Sequence, residues 1–404
     1  VSERLVLNRP MERQEKRDLQ AFFFLFGLGI MCLVPRLPDI KANLDVSTTY
    51  FGFIVSSGSL GALTAHLTMG HIVHRLGVYK VMVYGSTVTY IAMVMMIEIH
   101  NPIIYIVVNI ISGFAWASYH IAINAQALHR QSETGVQIIP MLHGLWSAGA
   151  VTTAFIALLI SSHVSLNWHV IPLLILVYSL KMRAINRSRK ILLKGNEVTE
   201  DDEIVTFRKM ISSISVDWVV TLGFLCALML EISVGDWATI MARQEFGVSK
   251  SLAVIPYFLF MGAMIMGRLS YQRFKGERSD KELVQPFAVM GGSIFLVSLG
   301  LSMQLKESNS MLAYAIFCLG FFLSGIGISF IGPLFFGYAS ARSEKPGGVA
   351  IAELGALNQV LTFIGRGVIS VVAGATSIPI AMTIPGLMLI FVAFFVAAAS
   401  KPRH

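Results

Sequence analysis

Apolar residues run along this chain in blocks of about 20, long enough to cross a hydrocarbon layer of about 30 Å as helices. The pattern predicts twelve blocks, six at residues 19–39, 49–71, 78–99, 103–128, 138–161 and 168–181. Six more follow at 216–240, 252–269, 286–305, 311–338, 349–373 and 380–399. The only long polar stretch, residues 182–215, falls between the sixth and the seventh block. The expectation is an all-α membrane protein with a polar segment 1–18, a six-helix half 19–181, a central loop 182–215 and a second six-helix half 216–404. The first block continues for a full crossing after its polar lead, so it reads as a retained helix and not a cleaved signal.

Composition agrees with that class, and charge gives it a direction. The 404 residues are 55% hydrophobic and 13% charged, with a mean hydropathy of +0.70, far from the balance of a soluble domain. A net charge of +8 could suggest a nucleic-acid partner, but the positions of the lysines and arginines account for it without one. With the N-terminus cytoplasmic, 25 of the 31 lysines and arginines fall on the cytoplasmic side, Lys181 and Arg268 counted among them. Arg36, Lys41, Arg243, Lys250 and Lys306 fall outside, and Arg366 lies within the eleventh block. Because cytoplasmic loops concentrate Lys and Arg, both termini and the central loop are expected on the cytoplasmic side of an inner membrane. Cys32, Cys226 and Cys318 lie inside apolar blocks without metal-ligand spacing and read as packing residues.

The two halves echo each other weakly. Val46-Ser47 matches Val248-Ser249 at an offset of 202, and each pair leads into the second helix of its half. Parallel six-helix repeats are a known plan for membrane transporters.

Between the second and third blocks lies GHIVHRLGVYK, residues 70–80. It resembles the G-x-x-x-[DN]-[RK]-x-G-[RK]-[RK] loop signature of the major facilitator superfamily, matched by Gly70, Arg75, Gly77 and Lys80, the last one place late. His74 stands where that family usually has an acidic residue. In the family the acid contacts the second half and favours the outward-facing state. A histidine can do so only as a hydrogen-bonding group or, once protonated, as a cation, and it could equally be a solvated loop residue. The blocks AINAQAL (122–128), PMLHGLWSAG (140–149) and EISVGDW (231–237) are similar to the YbjJ-like bacterial inner-membrane subgroup. The resemblance implies a twelve-helix transporter acting by alternating access and supplies no substrate. A small solute and a proton are the expected cargo of a monomer without cofactor or metal, the proton because the embedded groups are a lone Glu and several histidines and not an oxygen-rich cage.

Ionisable groups at bilayer depth cost about 2.5–3.5 kcal/mol each and usually face a cavity or a partner. Glu231 lies near the middle of the seventh block and suits a proton carrier. Asp236, five residues on, is turned about 140° away and reads as an outer gate or a solvated end. Trp116, His120 and Asn124 repeat at i, i+4 and i+8 in the fourth block, and His143 shares a face with Ser147 in the fifth, with Trp146 beside them. These residues could line a solute path or hold helices together by hydrogen bonds. Arg366 continues the face of Asn358 and Thr362 and wants an anion, either Glu231 or a solute group. Arg36, framed by Pro35 and Pro38, marks a helix end at the outer surface or guards the entrance.

There is no GxxxxGK[ST] loop, which excludes a nucleotide-driven pump, and HExxH, GxSG and GxGD motifs are missing, so no membrane-embedded enzyme is indicated. The leading expectation is proton-coupled symport of a small polar or anionic solute. Proton-driven export of a metabolite or drug is the alternative, and a non-transporting receptor on the same fold comes third.

Overall fold

A computed structural model describes residues 11, 13–134, 138–195, 216–344 and 347–400. Among them the structure is helical, with no strand. The first group comprises α1 (Arg13–Ile30), α2 (Leu37–Leu44), α3 (Thr48–Ser56), α4 (Gly58–Glu98), α5 (Pro102–Thr134), α6 (Ile139–Ile160) and α7 (Leu166–Ser188). The second comprises α8 (Trp218–Phe246), α9 (Ile255–Leu269), α10 (Tyr271–Lys275), α11 (Asp280–Leu305), α12 (Ser310–Ile328), α13 (Ile331–Ala341), α14 (Gly347–Ala375) and α15 (Ile378–Ala399). Eleven segments among the described residues are long and apolar enough to span a membrane. The second expected crossing is carried by α3 and the first part of α4, which break at Ser57. The tenth breaks between α12 and α13, just after Gly325 and Gly327.

The turn expected at residues 70–80 is shorter than a loop. Helix runs through it on both sides, and only Gly77, at φ 78° and ψ 159°, leaves the helical region. That conformation excludes an L side chain at low energy. The chain after α7 docks there: Val78 N donates to Leu193 O at 2.9 Å, and a β-carbon on Gly77 would lie 2.9 Å from Gly195 N.

The faint repeat has a structural cause. Asp45 and Gly247 both adopt the left-handed conformation, and their amides donate to the carbonyls of Lys41 and Arg243. Two residues later Ser47 Oγ accepts from Tyr50 N, and Ser249 Oγ accepts from Leu252 N, each at 3.3 Å. The two halves thus end one helix and start the next with the same backbone device at the same offset. Only the capping serine and its neighbouring valine show it as identical letters.

Several charges expected in loops lie inside the bundle. Arg130 of α5 is buried and donates to Glu15 of α1 at 3.0 Å as well as pairing with Glu133. Asp18 of α1 is buried, where it pairs with the exposed Arg187 of α7 and accepts from Ser188 Oγ at 2.7 Å. These helices outlast their apolar stretches because acids at the start of α1 satisfy the arginines near their ends. Lys181, counted with the loop cations, is 2% exposed within α7, and Arg268 lies within α9.

The face from which α1 starts is called here the N-terminal face. On the opposite, far face the two groups are fastened together. Asp39 of α2 accepts from Arg36 Nε at 2.7 Å, and Lys250 Nζ and Arg243 Nη1 of the other group lie 2.5 and 4.0 Å from its Oδ1. Ser162 and Ser251 exchange amide-to-hydroxyl hydrogen bonds of 3.1 and 2.9 Å. α3 packs directly on the far part of α14, so closely that a β-carbon on Gly374 would overlap Thr49 Oγ1.

Candidate functional site

Two arginine–carboxylate pairs stand one above the other where α8 faces the rest of the bundle. Arg366 of α14 grips Asp236 of α8 with Nε to Oδ2 at 2.7 Å and Nη2 to Oδ1 at 2.6 Å, a two-pronged contact. Its Nη1 reaches across to Ser59 Oγ of α4 at 3.3 Å. The anion expected for Arg366 is therefore Asp236 and not Glu231. Asp236 and Arg366 each sit about ten residues from the far end of their helices, so they meet at one height. Glu231 lies about 7.5 Å lower along α8, too far for the same guanidinium.

Glu231 faces Arg268 of α9 instead. The guanidinium of Arg268 donates from Nε to Ser329 O at 2.8 Å and from Nη1 to Ser147 Oγ of α6 at 2.9 Å. Its third edge, Nη2, lies 3.8 Å from Glu231 Oε2, an ion pair without a hydrogen bond. The side chains of Arg268 and Glu231 are 28% and 20% exposed although both project from apolar helices, so they border open space. Arg268 is the residue that sequence reasoning missed. It follows an apolar run and precedes a basic one, which made it look like the start of a loop.

Across this space the first group presents His120, His143, Trp116 and Asn124, backed by buried rings. His143 Nε2 lies 3.3 Å from Asn124 Oδ1, and the His120 and His143 rings meet edge to face at 5.8 Å. Phe26 stacks on His120 at 5.5 Å and lies 6.3 Å from Trp116, while Phe23 meets His143 at 5.4 Å. The i, i+4, i+8 stripe of α5 and the inward face of α6 are thus brought together, with Ser147 one turn above His143 linking them to Arg268.

The model of the Major Facilitator Superfamily matches residues 21–365. This chain belongs to that family. An uncharacterized transporter of the same superfamily from Yersinia pestis is 24% identical over 381 residues, 94% of each chain. Among solved structures, the nucleoside transporter NupG superposes with a TM-score of 0.70 at 15% identity, covering 96% of this chain and all of its own. The Escherichia coli fucose:proton symporter FucP does so with a TM-score of 0.62 at 16% identity, covering 95% and 98%. Membership of this family makes the chain a multi-pass membrane transporter.

Within this major facilitator fold the remaining expected residues fall at three levels. Arg36 sits in a short turn between α1 and α2 but is buried, 1% exposed, with Nη1 3.2 Å from both Val164 O and His169 Nδ1. It belongs to the fastened far face and is not a surface helix end. Asn358 and Thr362 are buried below Arg366, with their Oδ1 and Oγ1 atoms unpartnered among the described residues. At the N-terminal face the signature residues Arg75 and Lys80 are exposed, and no described atom would crowd a β-carbon on Gly70. His74 is half-buried there and makes a contact of its own.

Lys181 lies behind the aromatic wall. Its ammonium is 4.0 Å from the ring centre of Tyr119, 5.0 Å from Tyr90 and 5.4 Å from Phe26, in a crevice that Trp116 and Ser86 also line. The ring faces supply the attraction that a carboxylate would otherwise give.

Proposed function

We propose that this chain is a secondary active transporter that moves a small polar or anionic solute together with a proton across the cytoplasmic membrane by alternating access. Within the superfamily it groups with the YbjJ-like inner-membrane proteins, on the residue blocks 122–128, 140–149 and 231–237. Its six-helix halves, 19–181 and 216–404, rock against each other as a monomer, with the N-terminal face and both termini toward the cytoplasm.

The observation that carries this reading is the contact of Glu231 with Arg268, whose guanidinium also holds Ser147 of the other group. A proton bound to Glu231 removes the charge facing Arg268 and so changes a contact that joins the halves. Proton binding and rearrangement are then one event, which is what coupling requires. The fastened far face fits a cytoplasm-facing state, in which His120, Asn124, His143 and Trp116 meet solute from inside. That the structurally similar FucP is a fucose:proton symporter supports proton coupling by analogy of fold.

Flux in proteoliposomes with an imposed pH gradient tests the reading. Uptake that follows the gradient supports symport. Efflux driven by inward proton movement would make the chain an exporter, and solute binding without flux would make it a receptor.

A further inference from the structure

The charges around the central space balance in an uneven way. Arg366 is committed to Asp236 by two hydrogen bonds of 2.6 and 2.7 Å. Arg268 is anchored to protein by two of its edges, Ser329 O at 2.8 Å and Ser147 Oγ at 2.9 Å. Its third edge is offered to Glu231 across 3.8 Å with no hydrogen bond closed, and the side chain is 28% exposed. Among the described residues, His143 of α6 stands near Arg268 and Tyr257 of α9 stands near Glu231. One charge-assisted donor edge is therefore placed, oriented and left open. Among the described residues, the carboxylate opposite it is the one read above as the proton site.

We infer that the transported solute is a monocarboxylate whose anionic group closes the open edge of Arg268 when a proton occupies Glu231, so that one proton and one monoanion cross together without net charge. This rests on the proposed proton-coupled symport and names its substrate class. The balance is simple: the proton bonds to a Glu231 carboxylate oxygen and neutralises it, and the solute carboxylate restores the lost negative charge at Arg268. The cavity then carries the same net charge loaded as empty, and nothing is left buried and unpaired. The half-buried rings of Trp116, His120 and His143, backed by the buried Phe26, receive the rest of the solute, which fits a body with a flat apolar face and one or two hydrogen-bonding groups. A neutral solute would instead leave Arg268 facing a protonated Glu231 with no counter-charge. A dianion would have to break the Arg366–Asp236 pair.

Matched pairs that differ by a carboxylate test this on the purified full chain: nicotinamide and nicotinate, D-glucose and D-glucuronate, uridine and orotidine. Apparent Tm is read for wild type and for Glu231→Gln, which keeps the shape of a protonated Glu231. The anionic member of at least one pair is expected to raise the Tm of Glu231→Gln by about 2–4 °C. It should bind wild type at pH 8 at least ~10-fold more weakly and lose the effect in Glu231→Gln/Arg268→Gln. Equal shifts by the neutral members, or no shift of Glu231→Gln by any of the three carboxylates, overturn the inference. In proteoliposomes the bound monocarboxylate should accumulate with an imposed pH gradient and ignore a valinomycin-imposed potential. Potential-driven uptake overturns the electroneutral cargo while leaving transport standing. Binding without any flux rejects the transport reading and leaves the anion site standing.

Discussion

Arg366 and Asp236 form a bidentate pair between α14 and α8, 2.7 and 2.6 Å long, and the same guanidinium reaches Ser59 of the other group. The pair is 15% and 14% exposed, deep enough that a lone member would keep an uncompensated charge in an apolar bundle. Arg366→Ala or Asp236→Ala alone is expected to destabilise the protein by about 3–5 kcal/mol. The double replacement should recover much of that loss, because it leaves no unpaired charge. Thermal unfolding of the three variants in detergent measures it, and a double variant worse than the sum of the singles would show that the pair is not a self-contained unit.

The far-face contact of Ser162 with Ser251 gives a second expectation. The two residues exchange hydrogen bonds of 3.1 and 2.9 Å across the halves. Ser162→Cys/Ser251→Cys should cross-link under mild oxidation and stop transport, with recovery on reduction. Free transport by the cross-linked protein would mean that the far face does not open.

Gly374 supplies a third. A β-carbon there would overlap Thr49 Oγ1, so Gly374→Ala cannot close the far face as it stands. Added to the Ser162→Cys/Ser251→Cys pair, it should therefore lower the cross-linking yield severalfold and raise the reactivity of both introduced thiols. An unchanged yield would show that α3 and α14 yield easily at this point.

A fourth concerns Lys181 of α7, whose ammonium is held by three aromatic rings, Phe26 of α1, Tyr90 of α4 and Tyr119 of α5. Among the described residues no carboxylate pairs with it. Replacing such a buried cation with a flexible apolar chain of similar length is expected to be neutral or stabilising, by up to about 4 kcal/mol. Lys181→Met should thus keep or raise its Tm, whereas Lys181→Glu should fail to fold. A large loss of stability in Lys181→Met would mean that the ring contacts outweigh the cost of burial.

The sequence made the crossings legible because apolar length is dictated locally, by the bilayer and the helix rise. The pattern also placed Trp116, His120 and Asn124 on one face of their helix and His143 with Ser147 on one face of the next, since helical periodicity alone decides which side chains share a face. It did not reveal pairing. Arg366 met Asp236 and not Glu231 because the partner depends on the relative height of two helices 130 residues apart. Arg268 and Lys181 were hidden for a related reason: each ends an apolar run, and a run end looks the same whether the helix stops there or continues under charges satisfied elsewhere. The signature stretch 70–80 announced a turn, but only the backbone shows that one residue, Gly77, makes it.

The coupling of a proton on Glu231 to solute movement is the centre of this account, and one comparison tests it most directly. Wild type and Glu231→Gln are reconstituted in parallel, and the carboxylate that shifts Tm is followed under an imposed pH gradient and in counterflow exchange. The expected result is gradient-driven accumulation in wild type only, with exchange preserved in both. Full gradient-driven accumulation by Glu231→Gln would contradict it and remove Glu231 from the mechanism.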